Sequence, residues 1–168
     1  MKKALIIFIL LIFALSILCA CDPKPNNVAD NSSNDGATSG NNSQIEQEIT
    51  IMYVTIYGNK LEVTLENNSS VRALVELLKQ GDITYTANDY GGFEKVGNIG
   101  HSLPRNDTPI DTEAGDVILY QGNQICLYYG NNSWSFTRIG KINGYTNDEL
   151  CNLLGAGKGS VKVTVSLK

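Results

Sequence analysis

The sequence predicts a mainly β domain with two short helices, set behind a signal and a tether. Three stretches carry that prediction. Residues 116–142 read as three consecutive strands, residues 49–65 as a hairpin, and residues 160–167 as an alternating strand that closes the domain. In the first stretch, strands at 117–120 and 125–129 flank a turn at Gly122 and Asn123, residue types that reach positive φ at little cost. This register sets Tyr120 opposite Ile125, Leu119 opposite Cys126 and Ile118 opposite Leu127. Apolar residues then fall on both faces, as in a sheet covered on both sides. A second turn at Gly130, Asn131 and Asn132 leads into a third strand, 133–142, where small or polar residues alternate with Trp134 and Phe136.

From the beginning of the chain, Lys2 and Lys3 precede an apolar run at 4–18 that is broken only by Ser16. That run is shorter than the ~20 residues of an ordinary span, and its flanks match a secretory signal. It ends in Leu18, Cys19, Ala20 and Cys21, the pattern of a bacterial lipobox. Residues 1–20 are expected to leave as a lipoprotein signal peptide, with Cys21 as the lipidated residue. Several acyl chains on one cysteine anchor stably where a single chain does not, so the expected location is the extracytoplasmic face of a cell membrane. Residues 22–47 are rich in Asn, Ser, Gly and Asp and nearly devoid of apolar side chains. They cannot bury enough surface to offset their ordering entropy and read as a disordered tether. The domain is expected from residue 49 to 168.

Its opening hairpin places a turn at Gly58 and Asn59, with Tyr57 opposite Lys60. Ile56 then meets Leu61, Val54 meets Val63 and Met52 meets Leu65, which makes one face wholly apolar. Polar residues at 67–70 supply an N-cap for a helix over 71–79, closed by Gly81. Val71, Leu74, Val75 and Leu78 recur on one side of it. Residues 82–86 are a predicted strand, and 90–109, with four glycines and two prolines, read as loops with brief strands. Thr146 or Asn147 caps a second helix over 148–154, with acids in its first turn and Gly155 past its end. Finally Val161, Val163, Val165 and Leu167 alternate with Ser, Lys and Thr, the pattern of a half-buried strand.

Several separated motifs resemble the bacterial cyclophilin-like domain family: Asp89, Tyr90, Gly91, Gly92, Phe93, Glu94, Lys95, Val96 and Gly97; then Leu103 and Pro104; then Gly115 and Asp116 followed by 119–124; then Tyr129, Gly130, Asn132 and Trp134; and last 138–142. The resemblance spans about residues 49–168. It implies a closed, roughly eight-stranded barrel like that of the cyclophilins, without implying their prolyl isomerase activity. Cyclophilins place an arginine beside aromatics to polarise the prolyl amide, and Phe136, Thr137, Arg138 and Ile139 echo that segment. The histidine and the residues that follow it in the cyclophilin motif are absent here, so no catalytic residue is carried over. Relatives of the domain fused to flavodoxin-like domains raise a further possibility, a small-molecule enzyme or redox partner, but this chain has no nucleotide-binding motif.

The chain carries a net charge of −4, which becomes −6 once Lys2 and Lys3 leave with the signal. Such a surface argues against nucleic acid, whose phosphates demand basic patches. No metal-ligand spacing or phosphate loop is present, and no cofactor is expected. Beyond Cys19 and Cys21 only Cys126 and Cys151 remain. Their compartment permits a disulfide, but a buried thiol is the expected state of each. His101, the only histidine, stands beside Ser102 with Asp107 close by, a crowding that suits a solvated loop better than a triad. Asp107, Asp111, Glu113 and Asp116 lack the order of a calcium loop, and Asp116 is expected to hydrogen-bond the turn before its strand.

The candidate ligand-binding residues are Arg138, Trp134, Phe136 and Tyr90. If 133–142 runs without a bulge, Trp134, Phe136, Arg138 and Ile142 share a face. Arg138 there either grips a ligand or pairs with a carboxylate at the rim. Phe93, Tyr120, Tyr128 and Tyr129 could join the same groove or pack as strand faces. The expected function is a membrane-tethered, non-catalytic module that binds a peptide or small ligand outside the membrane. A weak prolyl isomerase that assists folding is the alternative.

Overall fold

The computed structural model describes residues 48–168. The expected signal, the acceptor Cys21 and the tether lie outside the described residues. Nine strands and two helices follow in the order β1 (Ile51–Ile56), β2 (Asn59–Leu65), α1 (Ser69–Gln80), β3 (Ile83–Tyr90), β4 (Glu94–Asn98), β5 (Thr108–Thr112), β6 (Asp116–Tyr120), β7 (Gln124–Tyr128), β8 (Asn132–Ile142), α2 (Asn147–Leu154) and β9 (Val161–Ser166). All the pairings are antiparallel. They run β2-β1-β9-β3-β4-β7-β6-β8-β5, and β2 pairs again with β8. The fold is mainly β with two helices, as the sequence predicts.

Both hairpins differ from their expected registers, for different reasons. In the first, Ile56 pairs with Asn59 and Val54 with Leu61, so the turn residues are Tyr57 and Gly58, at φ 48° and 79°. The pairing has slipped by two residues from the expected one. A two-residue slip leaves every side chain on its own face, so apolar alternation does not detect it. Tyr57 accepts the left-handed conformation because its ring lies against Gly155, where even a Cβ would collide with it. In the second hairpin, Tyr120 pairs with Gln124, Leu119 with Ile125 and Ile118 with Cys126. Gln121, Gly122 and Asn123 form a three-residue loop, with Gln121 at φ 52° and Gly122 at 79°. This one-residue slip decides which face each side chain meets. It sends Val117, Leu119, Ile125 and Leu127 together into one core and Ile118 and Cys126 into another.

The sheet is indeed covered on both sides. The main core gathers Met52, Val54, Ile56, Leu61, Val63, Ile139, Val163, Val165 and their neighbours. The stripe Val71, Leu74, Val75 and Leu78 of α1 packs into it, and Leu150 and Leu154 of α2 join it. Asn68 caps α1, its side chain accepting from the Val71 N–H at 3.0 Å. Thr146 and Glu149 form a reciprocal capping box on α2, and Gly155 ends it in the left-handed conformation. The smaller core lies on the opposite face: Ile118, Cys126, Tyr128 and Phe136, with Phe93, Val96, Ile110 and Tyr120 against them. Both remaining thiols are free. Cys126 is buried in the smaller core, while Cys151 packs against the main one.

Strand β8 serves both cores because it is bulged. Val117 pairs with Gly140 and Ile118 with Arg138, leaving Ile139 as the extra residue. Before the bulge, Phe136 belongs to the smaller core; beyond it, Ile142 belongs to the main one. The expectation that Ile142 shares a face with Trp134, Phe136 and Arg138 held only for a strand without a bulge, and it is corrected here.

Candidate functional site

The segment from Asp89 to Lys95 builds the site by alternation. Strands β3 and β4 pair Asp89 with Lys95 and Tyr90 with Glu94 across a turn at Gly91 and Gly92. Neighbouring residues of a strand point to opposite faces, so the first pair looks toward the main core and the second away from it.

The core-facing pair is a clamp. Lys95 is 0% exposed, and its ammonium lies 2.7 Å from Asp89 Oδ1 and donates to the Gly159 carbonyl at 2.7 Å. Asp89 also accepts from the Tyr129 hydroxyl at 3.0 Å and from the Gly157 and Gly159 N–H groups at 3.2 and 2.7 Å. Burial works against ionisation of Asp89. The hydrogen bonds from Lys95, Gly159, Tyr129 and Gly157 outweigh it and hold the carboxyl below its ordinary range.

The outward pair belongs to a cleft of about 740 Å³. Five rings form a continuous chain through it. Tyr90 meets Phe93 edge-on at 6.0 Å, and Phe93 stacks on Tyr128 at 5.9 Å. Tyr128 meets Phe136 at 6.2 Å, and Phe136 meets Tyr120 at 6.1 Å, both edge-on. Trp134 lines the same cleft. Tyr90 and Trp134 are 63% and 65% exposed, a large apolar exposure in two side chains that flank one hollow.

Glu94 lies within this aromatic wall. It is 6% exposed, and its Oε2 has no well-formed hydrogen bond; nor has the buried hydroxyl of Tyr128. Burial pushes the Glu94 carboxyl up, and the nearby Tyr128 hydroxyl and Cys126 thiol oppose that without overcoming it. Burial also drives the Tyr128 hydroxyl up, and its contact with the Glu94 carboxylate, by hydrogen bond and then by charge, adds to it. The Cys126 thiol is raised by burial and then by Glu94, which makes it a poor nucleophile. A buried carboxyl whose hydrogen bonds are poorly formed costs stability, and a perturbed acid of this kind in a cleft is a candidate functional group. A second hollow of about 390 Å³ lies between α1 and the start of β1. Among the described residues lining it, none carries a buried polar atom without a partner. The aromatic cleft is therefore the stronger site.

Of the four residues singled out from sequence, Tyr90, Trp134 and Phe136 line the cleft. Arg138 does not. Its Nη2 lies 3.2 Å from Asp116 Oδ2, while Lys141 Nζ stands 3.0 Å from Oδ1 of the same carboxylate. Asp116 is 0% exposed and also accepts from the Glu113 N–H at 3.0 Å, the turn contact its position predicts. Arg138 thus takes the rim ion pair. The other acids diverge: Asp107 binds Arg105 and accepts from Thr137 at 2.6 Å, Asp111 accepts from Ser133 at 2.6 Å, and Glu113 faces Lys141. His101 and Ser102 are exposed. Of the other tyrosines considered, Tyr120 and Tyr128 join the cleft, and Tyr129 joins the clamp. Glu94 was not singled out. Its place depends on its pairing with Tyr128 across β4 and β7, which the local sequence does not show.

Residues 54–166 match the model of the cyclophilin-like family. The chain belongs to that family. Among solved structures, this cyclophilin-like chain is similar to the solution structure of the hypothetical protein AF2241 from Archaeoglobus fulgidus, with a TM-score of 0.54 and 21% identity over 73% of this chain and 98% of that one. It is also similar to McbB, whose structure was determined in complex with tryptophan, with a TM-score of 0.51 and 18% identity over 68% of this chain. The match spans 44% of the McbB chain. At these identities the likeness is one of fold. No curated protein matches the chain.

Proposed function

We propose that this cyclophilin-like domain is a binding module whose aromatic cleft takes a small molecule or a peptide side chain. The observation that carries the proposal is Glu94, a buried carboxyl whose Oε2 has no well-formed hydrogen bond, set among Tyr128, Phe93 and Phe136. A volume of about 740 Å³ suits such an occupant, and a few polar groups within an apolar wall orient one. The return pairing of β2 with β8 supports a closed eight-stranded barrel as the scaffold, with β5 outside the ring. The sequence pattern at 1–21 and the composition of 22–47 support a tether from lipidated Cys21, which would present the cleft at the extracytoplasmic face of a membrane. There it would meet soluble peptides or metabolites.

The test is a screen of small molecules and short peptides by ligand-detected NMR, with hits repeated on Trp134→Ala and Tyr90→Ala. Both side chains are largely exposed, so the variants should fold normally. Hits that fade by fivefold or more in both variants support the reading. Hits that bind all three proteins alike place the site elsewhere. Labelling the membrane fraction with a fatty-acid analogue, with and without Cys21→Ser, tests the anchor separately.

A further inference from the structure

We infer that the cleft recognises a protonated amine carried on an apolar or aromatic body, with Glu94 receiving the ammonium and the surrounding rings enclosing the rest. This names the occupant class for the cleft proposed above and rests on that reading.

Four observations lead to it. First, among the described residues lining the cleft, Glu94 is the only charged one, so no cation there would pair with an anion. Second, the Glu94 Oε2 and the Tyr128 hydroxyl are buried beside each other, and neither makes a well-formed hydrogen bond. An ammonium offers three donors; it would satisfy both oxygens and still keep one N–H for water or for Asn132 or Gln124, which also line the cleft. Third, the walls are π faces and edges. Tyr and Trp attract cations placed over their rings, and more strongly once water is excluded. Trp134 and Tyr90 at the mouth, with Phe93 and Tyr128 deeper in, supply such rings around one acid. Fourth, among the described residues no cation has taken the position. The neighbouring Lys95, next in sequence, points away and is held by Asp89 and Gly159. Arg138, on the wall strand itself, is held by Asp116. The two cations nearest in sequence to the cleft's own residues are thus bound elsewhere, and the acid is left open.

A neutral occupant is the competing chemistry: a protonated Glu94 could donate to a carbonyl or hydroxyl. A like-sized series separates the two. Trp134 is the only tryptophan of the chain, so its emission reports on the cleft without labelling. The full chain in mild detergent is titrated at neutral pH with benzylamine, benzyl alcohol and benzoate, and the titrations are repeated on Glu94→Gln. The expected result is saturable binding of benzylamine at least tenfold tighter than that of the alcohol. Benzoate should be weakest. Glu94→Gln should lose at least tenfold for the amine while leaving the alcohol within twofold. Circular dichroism and an unchanged response to the alcohol confirm that the variant is folded, and Trp134→Ala, followed by NMR, should weaken the amine independently. If the alcohol binds as well as the amine and Glu94→Gln changes neither, the amine assignment is overturned while the cleft stands. If none of the three shifts the Trp134 emission or the NMR signals of cleft residues, both the amine assignment and the cleft reading fall.

Discussion

Replacing Asp89 by alanine should damage the domain far more than replacing Lys95 by methionine, although the two residues form one ion pair. In Asp89→Ala the Lys95 ammonium stays 0% exposed and keeps one acceptor, the Gly159 carbonyl. Removing one partner of a buried pair costs about 3–5 kcal/mol, because the other charge remains desolvated. The Gly157 and Gly159 N–H groups also lose their acceptor, but both residues are exposed and water replaces it. In Lys95→Met the buried charge leaves, and methionine fills the space of the stem. Asp89 keeps three donors, and its side chain is 21% exposed, so solvent completes its shell. The cost should then be about 1–2 kcal/mol, the loss of one charged hydrogen bond at a partly wetted site. For a domain of this size about 4 °C of Tm accompanies each kcal/mol, so the expected falls are about 12–20 °C and about 4–8 °C. Thermal and urea unfolding of both single variants and the double variant measure this, and the double should recover most of the Asp89→Ala loss. Equal or reversed costs would refute the stranded-ammonium reasoning and make the ties from Asp89 to the 157–159 loop the dominant contribution.

Four further outcomes follow from the same geometry. Because the folded carboxyl of Glu94 is raised, wild-type stability should fall as pH rises above the unfolded value of 4.5 and level off once the folded group has ionised; the advantage of Glu94→Gln in urea midpoint should grow over that window. Asp89 behaves oppositely. Its depressed value gives stability that is present above 3.8 and lost as pH falls through the folded value, so Asp89→Ala should flatten the acid limb of the curve. Gly97→Ala should cost about 3 kcal/mol or more, since a Cβ there overlaps the Thr86 carbonyl and the Tyr85 ring, and overpacking against backbone has little room to relax; chemical denaturation checks it. Finally, the protein should not accelerate prolyl isomerisation of short X-Pro peptides, because Arg138 is held by Asp116. A rate that disappears with Arg138→Ala would overturn that statement.

Much of this architecture is legible in the sequence, and the failures have particular causes. The apolar stripe of α1 and the capping box of α2 are local patterns, and both helices stand where those patterns put them. Alternation fixes only parity. It therefore identified the buried face of the β1–β2 hairpin while missing a slip of two residues, which Tyr57 settles by packing on a glycine about a hundred positions away. In the β6–β7 hairpin both faces are apolar, so alternation does not distinguish a two-residue loop from a three-residue one. The bulge at Ile139 leaves no mark in composition, yet it decides that Phe136 and Ile142 serve different cores. Three aromatic members of the site were readable as strand-borne rings. Glu94 was hidden because its role depends on a pairing, with Tyr128 beside it, that only the fold supplies.

The place of β9 has a consequence for the order in which the protein can be assembled. This last described strand lies between β1 and β3, pairing with Tyr53–Ile56 on one side and with Ile83–Ala87 on the other. During synthesis, the facing edges of β1 and β3 wait unpaired while everything from β3 to β9 emerges. Val54, Ile56, Ile83 and Tyr85 lie along those waiting edges, and open apolar edges invite pairing with other chains. Contacts that join the two ends of a chain form late and slowly. Nascent chains stalled before residue 161 should therefore be sticky and protease-sensitive, and release of the final strand should convert them in one cooperative step.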